Sequence, residues 1–111
     1  MQDRNHILMF KTSADTLYHA KDYTSATILY FKAWFALQDF ILLRKLGYSP
    51  KDHGERFRLL EKEFPDSYVE LDKEFSTYRD TYSKVVDRED CDRIRKIVEN
   101  EIDIHGIKKE K

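Results

Sequence analysis

Residues Tyr23 to Leu46 constrain this chain more than any other segment: twenty-four residues contain no proline and no glycine, and Gly47 follows at once. A helix over that run is more than ~30 Å long at about 1.5 Å per residue, and Gly47 stands where a left-handed cap would stop it. The segment carries two apolar stripes. Ala26, Tyr30, Ala33, Leu37 and Ile41 form one, and Phe31, Trp34, Phe35 and Leu42 occupy a neighbouring face. A helix apolar over so wide an arc needs cover on more than one side. Either it is the central helix of one bundle, with three neighbours, or part of Phe31, Trp34 and Phe35 is covered by a second copy of the chain. The second alternative makes those three aromatics the expected dimer interface.

The same run does not read as a membrane span. From Ala26 to Leu43 it is interrupted by Lys32, Gln38 and Asp39, short of the roughly 18 uninterrupted apolar residues such a span requires. Met1 is followed by Gln2, Asp3, Arg4, Asn5 and His6 before any apolar residue, so no signal peptide is expected. One cysteine, Cys91, permits no internal disulfide. These features together point to the cytoplasm.

The remaining sequence supplies the helices that cover the spine. With 111 residues there is room for one domain, expected to occupy residues 1–106, with 107–111 as a charged tail. A first helix is expected from Asp3 to Ala20, its apolar stripe being Ile7, Phe10, Ala14 and Leu17. Asp52 with Glu55 resembles a capping box opening a short third helix that buries Phe57, Leu60 and Phe64 before Pro65. Asp66 or Ser67 should cap a fourth helix whose stripe is Tyr68, Leu71, Phe75, Tyr78, Tyr82 and Val85. Asp87 with Asp90 begins a last helix that turns Cys91, Ile94, Val98 and Ile102 inward and closes at Gly106. No apolar alternation bounded by hairpin turns occurs, so the expected fold class is all-α, an up-and-down bundle of four to five helices.

Charge and motif spacing exclude several functions. Twenty basic residues stand against twenty-one acidic ones, a net charge of -1, which is not the balance of a domain that wraps nucleic acid by bulk charge. A local basic site is still compatible with it. No Glu-x-x-His pair, His-x-x-x-His or Cys-x-x-Cys occurs among the four histidines and the cysteine, so no metal site and no cofactor is expected. Three scattered glycines make no phosphate-cradling loop. Cys91 lies on an apolar stripe and reads as a core residue rather than a nucleophile.

The fourth helix carries the more specific signal. Asp72, Ser76, Arg79 and Ser83 follow at spacings of four, three and four, on one face flanked by Tyr78 and Tyr82. An arginine there has the planar, permanently charged fork that clamps a phosphate, and the tyrosines offer stacking or hydroxyl contacts. The plainer alternative has Arg79 paired with Asp72 or Asp80 and both tyrosines in the core.

Four segments in order carry a family resemblance: Ala20-Lys21-Asp22-Tyr23 leading into Ala26; Tyr30-Phe31-Lys32-Ala33-Trp34-Phe35; Gly47-Tyr48-Ser49-Pro50-Lys51-Asp52-His53; and Tyr78-Arg79-Asp80-Thr81-Tyr82. Over residues 10 to 102 the chain resembles the HEPN family, the higher-eukaryote and prokaryote nucleotide-binding domain, in its small prokaryotic form. The resemblance implies a dimeric helical bundle, often accompanied by a minimal nucleotidyltransferase as toxin and antitoxin or as a complex. Many HEPN proteins are metal-independent ribonucleases in which an arginine holds the scissile phosphate and a histidine, separated from it by four to six intervening residues, acts as general acid or base. Arg79 and Asp80 match the start of that motif, but the histidine positions hold Lys84, Val85 and Val86. Lysine, with an ordinary pKa of about 10.4, is a poor base. The resemblance therefore implies the noncatalytic branch, with Arg79, Asp80, Tyr82 and His53 as nucleotide- or phosphate-binding residues. The alternative is a ribonuclease-like toxin with a degenerate site, using Lys84 or His53.

Overall fold

A computed structural model describes residues 4–108. Five helices follow in order: α1 (Arg4–His19), α2 (Tyr23–Leu46), α3 (His53–Glu63), α4 (Pro65–Asp80) and α5 (Arg88–Ile104), with no strand among the described residues. The all-α bundle is as expected. Helix α2 contacts all four others, one more than the three neighbours anticipated for a central helix, and this answers the demand of its wide apolar arc. Phe31, Trp34 and Phe35 are buried inside the single chain. Phe31 and Phe35 pack on Tyr78 and Phe75 of α4, and Trp34 stacks on Phe31 at 5.7 Å, so the expectation that the three form a dimer interface is corrected: α4 folds back over the face left for a second copy. Each such ring contributes roughly 1.5–3 kcal/mol through removal of apolar surface from water.

By length and composition α2 could cross a bilayer, contrary to the count of uninterrupted apolar residues, and 78% of its most apolar window is buried in the bundle.

The helix ends follow local chemistry. The Asp22 side chain accepts from the Ser25 amide at 3.2 Å to open α2, and Gly47, at φ 84°, closes it by donating to the Leu43 carbonyl at 2.9 Å. That left-handed position favours glycine because no Cβ meets the backbone there. Asp52 accepts from the Glu55 amide at 2.8 Å, while Glu55 reaches back to the Lys51 amide, one residue earlier than a capping box requires.

Three expectations along the second half change. Helix α4 begins at Pro65, with Phe64 before it and no side-chain cap from Asp66 or Ser67; proline's fixed φ suits the first helical position and its missing N–H costs nothing there. The helix stops at Asp80, where the Thr81 hydroxyl donates to the Tyr78 carbonyl at 2.6 Å. Tyr82 and Val85 therefore leave the inward stripe and are 76% and 91% exposed, while Val86 takes the buried position, its amide donating to Thr24 Oγ1 at 2.9 Å. Ile107 packs with Ile7, Leu37 and Ile41, so the charged tail does not begin at residue 107; residues 109–111 lie outside the described residues.

Candidate functional site

Three of the residues singled out in the sequence, His53, Arg79 and Tyr82, converge on one end of the α2–α3–α4 face, around Phe75 and Tyr78. Asp52 caps α3 and so fixes His53 at its first position. The His53 ring lies 5.4 Å from that of Phe75, 4.8 Å from Phe35 and 5.9 Å from Tyr78. The Arg79 guanidinium sits 6.0 Å from the Phe75 ring centroid, so His53 and Arg79 flank the same aromatic. Tyr82, just past the end of α4, exchanges a hydrogen bond of 2.8 Å with the Tyr78 hydroxyl. Burial first, then that hydrogen bond, pushes the Tyr78 phenol up to about 12, so it is a neutral hydrogen-bonding group at any working pH.

Arg79 is exposed, and among the described residues no carboxylate lies in ion-pair range of it. The alternative in which Asp72 or Asp80 neutralises it does not hold: Asp80 turns instead to Lys84, at 3.7 Å. Asp80 is therefore an ion-pair member at the helix end, apart from the aromatic cluster. Lys84, the residue at the first histidine position of the nuclease motif, is exposed and engaged in that pair.

The feature that sequence reasoning missed is a buried ion pair behind His53. Arg56 is 8% exposed and forks onto Asp39, donating from Nε to Oδ1 at 2.7 Å and from its terminal nitrogen to Oδ2 at 3.0 Å. Its other terminal nitrogen meets His53 Nδ1 at 2.5 Å. A guanidinium can only donate, so Nδ1 accepts, and the neutral ring then carries its proton on Nε2. Burial, and next the charge of Arg56, hold the His53 pKa below its ordinary value. The imidazole is thus kept neutral as an Nε2–H donor, with no free basic nitrogen. One signal was available in the sequence: Asp39 stands on the buried arc of α2 and, as a buried carboxylate, demands a cationic partner.

Other polar clusters serve the scaffold. Arg93 grips the buried Glu74 at 3.0 and 3.1 Å and ties α5 to α4; Lys11 bridges Asp15 and Glu99 at 2.7 and 3.1 Å, joining α1 to α5. A cavity of about 490 Å³ between α4 and α5 is lined by Glu63, Asp66, Glu70 and Glu101 with His105, a wall of carboxylates that repels a phosphate. Among the described residues no group of three or more histidine, cysteine, aspartate or glutamate side chains is placed to hold a metal. Cys91 is buried, and desolvation raises its thiol pKa, which keeps it protonated and inert. Comparison of the chain with protein-family models, with curated proteins and with solved structures gives no match.

Proposed function

We propose that this chain is a noncatalytic module of the HEPN type, cytoplasmic and dimeric, that holds the phosphate of a nucleotide or RNA through Arg79 and docks a minimal nucleotidyltransferase. The observation that carries the phosphate reading is an exposed guanidinium with no carboxylate in range among the described residues, flanking the same ring as His53. An arginine in that condition offers its whole fork to a phosphate. His53 adds an Nε2–H donor, and the exposed Tyr82 ring adds a stacking surface. The noncatalytic reading is supported by the want of a base. His53 has its Nδ1 occupied by Arg56, and Lys84 is an exposed ion-pair member, so neither is poised to take a proton from a ribose 2′-hydroxyl.

The test is fluorescence anisotropy of a labelled single-stranded RNA in EDTA. Wild type is expected to bind without cutting, and Arg79→Ala to bind about tenfold more weakly, the loss typical of one charge-assisted contact. Equal affinity in the variant refutes the role of Arg79, and Arg79-dependent cleavage replaces this reading with the ribonuclease one. Light scattering is expected at twice the chain mass of 13.4 kDa; a value equal to it removes the dimer.

A further inference from the structure

We propose that the cleft between α1, α2 and α3 is a second phosphate subsite, with Lys32 as its charged contact and Arg56 as its fixed wall. It rests on the reading of the protein as a phosphate-binding module and sharpens the ligand to one carrying at least two phosphates, an RNA strand or a nucleoside polyphosphate.

The cleft has a volume of about 190 Å³ and is lined by His6, Phe10, Lys32, Phe35, Asp39 and Arg56, among others. That space suits a small anionic group and not a helix. Its electrostatics are decided by how the one lining carboxylate is used. Both oxygens of Asp39 accept from Arg56, so this pair is neutral as a whole. Lys32 then sets the sign, because it is exposed and, among the described residues, has no carboxylate within ion-pair distance. Lys32, Phe35, Ala36 and Asp39 follow at spacings of three, one and three, which puts them on one face of α2 and makes the cleft a property of that helix.

Arg56 completes the wall. Three of its five N–H donors are committed, two to Asp39 and one to His53, and its guanidinium carbon lies 4.9 Å from the Phe35 ring centroid. A buried ion pair contributes little net stability relative to apolar residues of the same volume. What this one achieves is position: it locks a cation and its remaining donors beside the cleft. The subsite is also continuous with the first. Phe35 lines the cleft, and its ring lies 4.8 Å from that of His53, 5.0 Å from that of Tyr78 and 6.3 Å from that of Phe75, the ring that Arg79 approaches, so Phe35 and Phe75 together separate the Lys32 cleft from Arg79. Two phosphates of one ligand would lie on either side of these two rings.

Two measurements on the full chain test this. Amide NMR with inorganic phosphate as probe is expected to give saturable shifts at Lys32, Ala36 and Arg56, abolished in Lys32→Glu and retained in Arg79→Ala. With labelled single-stranded RNA, Lys32→Ala is expected to flatten the slope of log affinity against log salt by about 0.7, the value for one lost phosphate contact on a single strand, and Lys32→Arg to restore it. Lys32 is exposed, so these variants keep the fold, which circular dichroism checks. Absence of cleft shifts, or an unchanged slope in Lys32→Ala while Arg79→Ala loses RNA, overturns the subsite and leaves the reading of Arg79 intact. Phosphate shifts in the cleft with no RNA affinity in wild type would instead remove RNA as the ligand and keep the anion site.

Discussion

Replacing Asp39 with alanine strips Arg56 of the carboxylate that receives two of its donors and leaves a guanidinium that is 8% exposed without a counter-charge. Breaking a buried pair from one side typically costs about 3–5 kcal/mol. A chain of this length has a total stability of roughly 5–15 kcal/mol, so the variant is expected to be close to the edge of folding. In urea denaturation, with a slope of about 1–3 kcal/mol/M, the midpoint should fall by roughly 2 M. The companion variant, Asp39→Leu with Arg56→Met, removes both charges and refills the space. It is expected to recover most of the loss, because the penalty comes from the orphaned cation rather than from the missing attraction. His53 supplies an independent readout. Arg56 is one of the causes that depress its pKa, so in the double variant its titration, followed by NMR, should move back up toward the ordinary value of about 6.5. The sign for stability is fixed as well: a histidine whose folded pKa is lowered binds more protons when unfolded, so wild type should lose stability as pH falls from about 6.5 through the depressed value. A loss below about 1 kcal/mol in Asp39→Ala, the value of an exposed pair, would refute the burial argument.

Two other predictions follow from the core and from its titratable edge. Trp34→Ala should cost about 3–5 kcal/mol by leaving a cavity, and Trp34→Lys should yield an unfolded chain by circular dichroism; a folded monomer from Trp34→Lys would return that ring to a dimer interface. Burial first, and Glu70 second, raise the Glu101 pKa, so ionisation at neutral pH destabilises the fold. Glu101→Gln should therefore raise Tm at pH 7 and have no such effect at pH 4, where both side chains are neutral; an equal change at both values would refute it.

Most of the scaffold was legible from local chemistry. The span of α2, its Gly47 cap and the caps at Asp52 and Asp87 were read directly from the sequence, because a cap depends on residues only three or four positions apart. The stripe of α4 was read correctly through Tyr78 and wrongly beyond it. Spacing alone continues a helix through Tyr82 and Val85, whereas the chain turns at Thr81 so that Val86 can be buried against the start of α2. Arg79, His53 and Tyr82 were each picked out in sequence, but their meeting around Phe75 and Tyr78 was not, since they belong to different helices or their ends.

What the sequence determined by itself is that a long, widely apolar helix must be the spine of an all-α bundle. It could not say what covers that helix, because an apolar arc is satisfied equally by a second copy or by the chain's own α4. The tertiary structure decided for α4, and so moved Phe31, Trp34 and Phe35 from an interface into the core. It also decided the fate of the charges. Asp39 was an interruption in an apolar run until α3 placed Arg56 against it, and Arg79 was one cation among twenty basic residues until Asp80 turned to Lys84. Pairing of charges is a long-range choice, made by which helices pack together, and no local pattern encodes it.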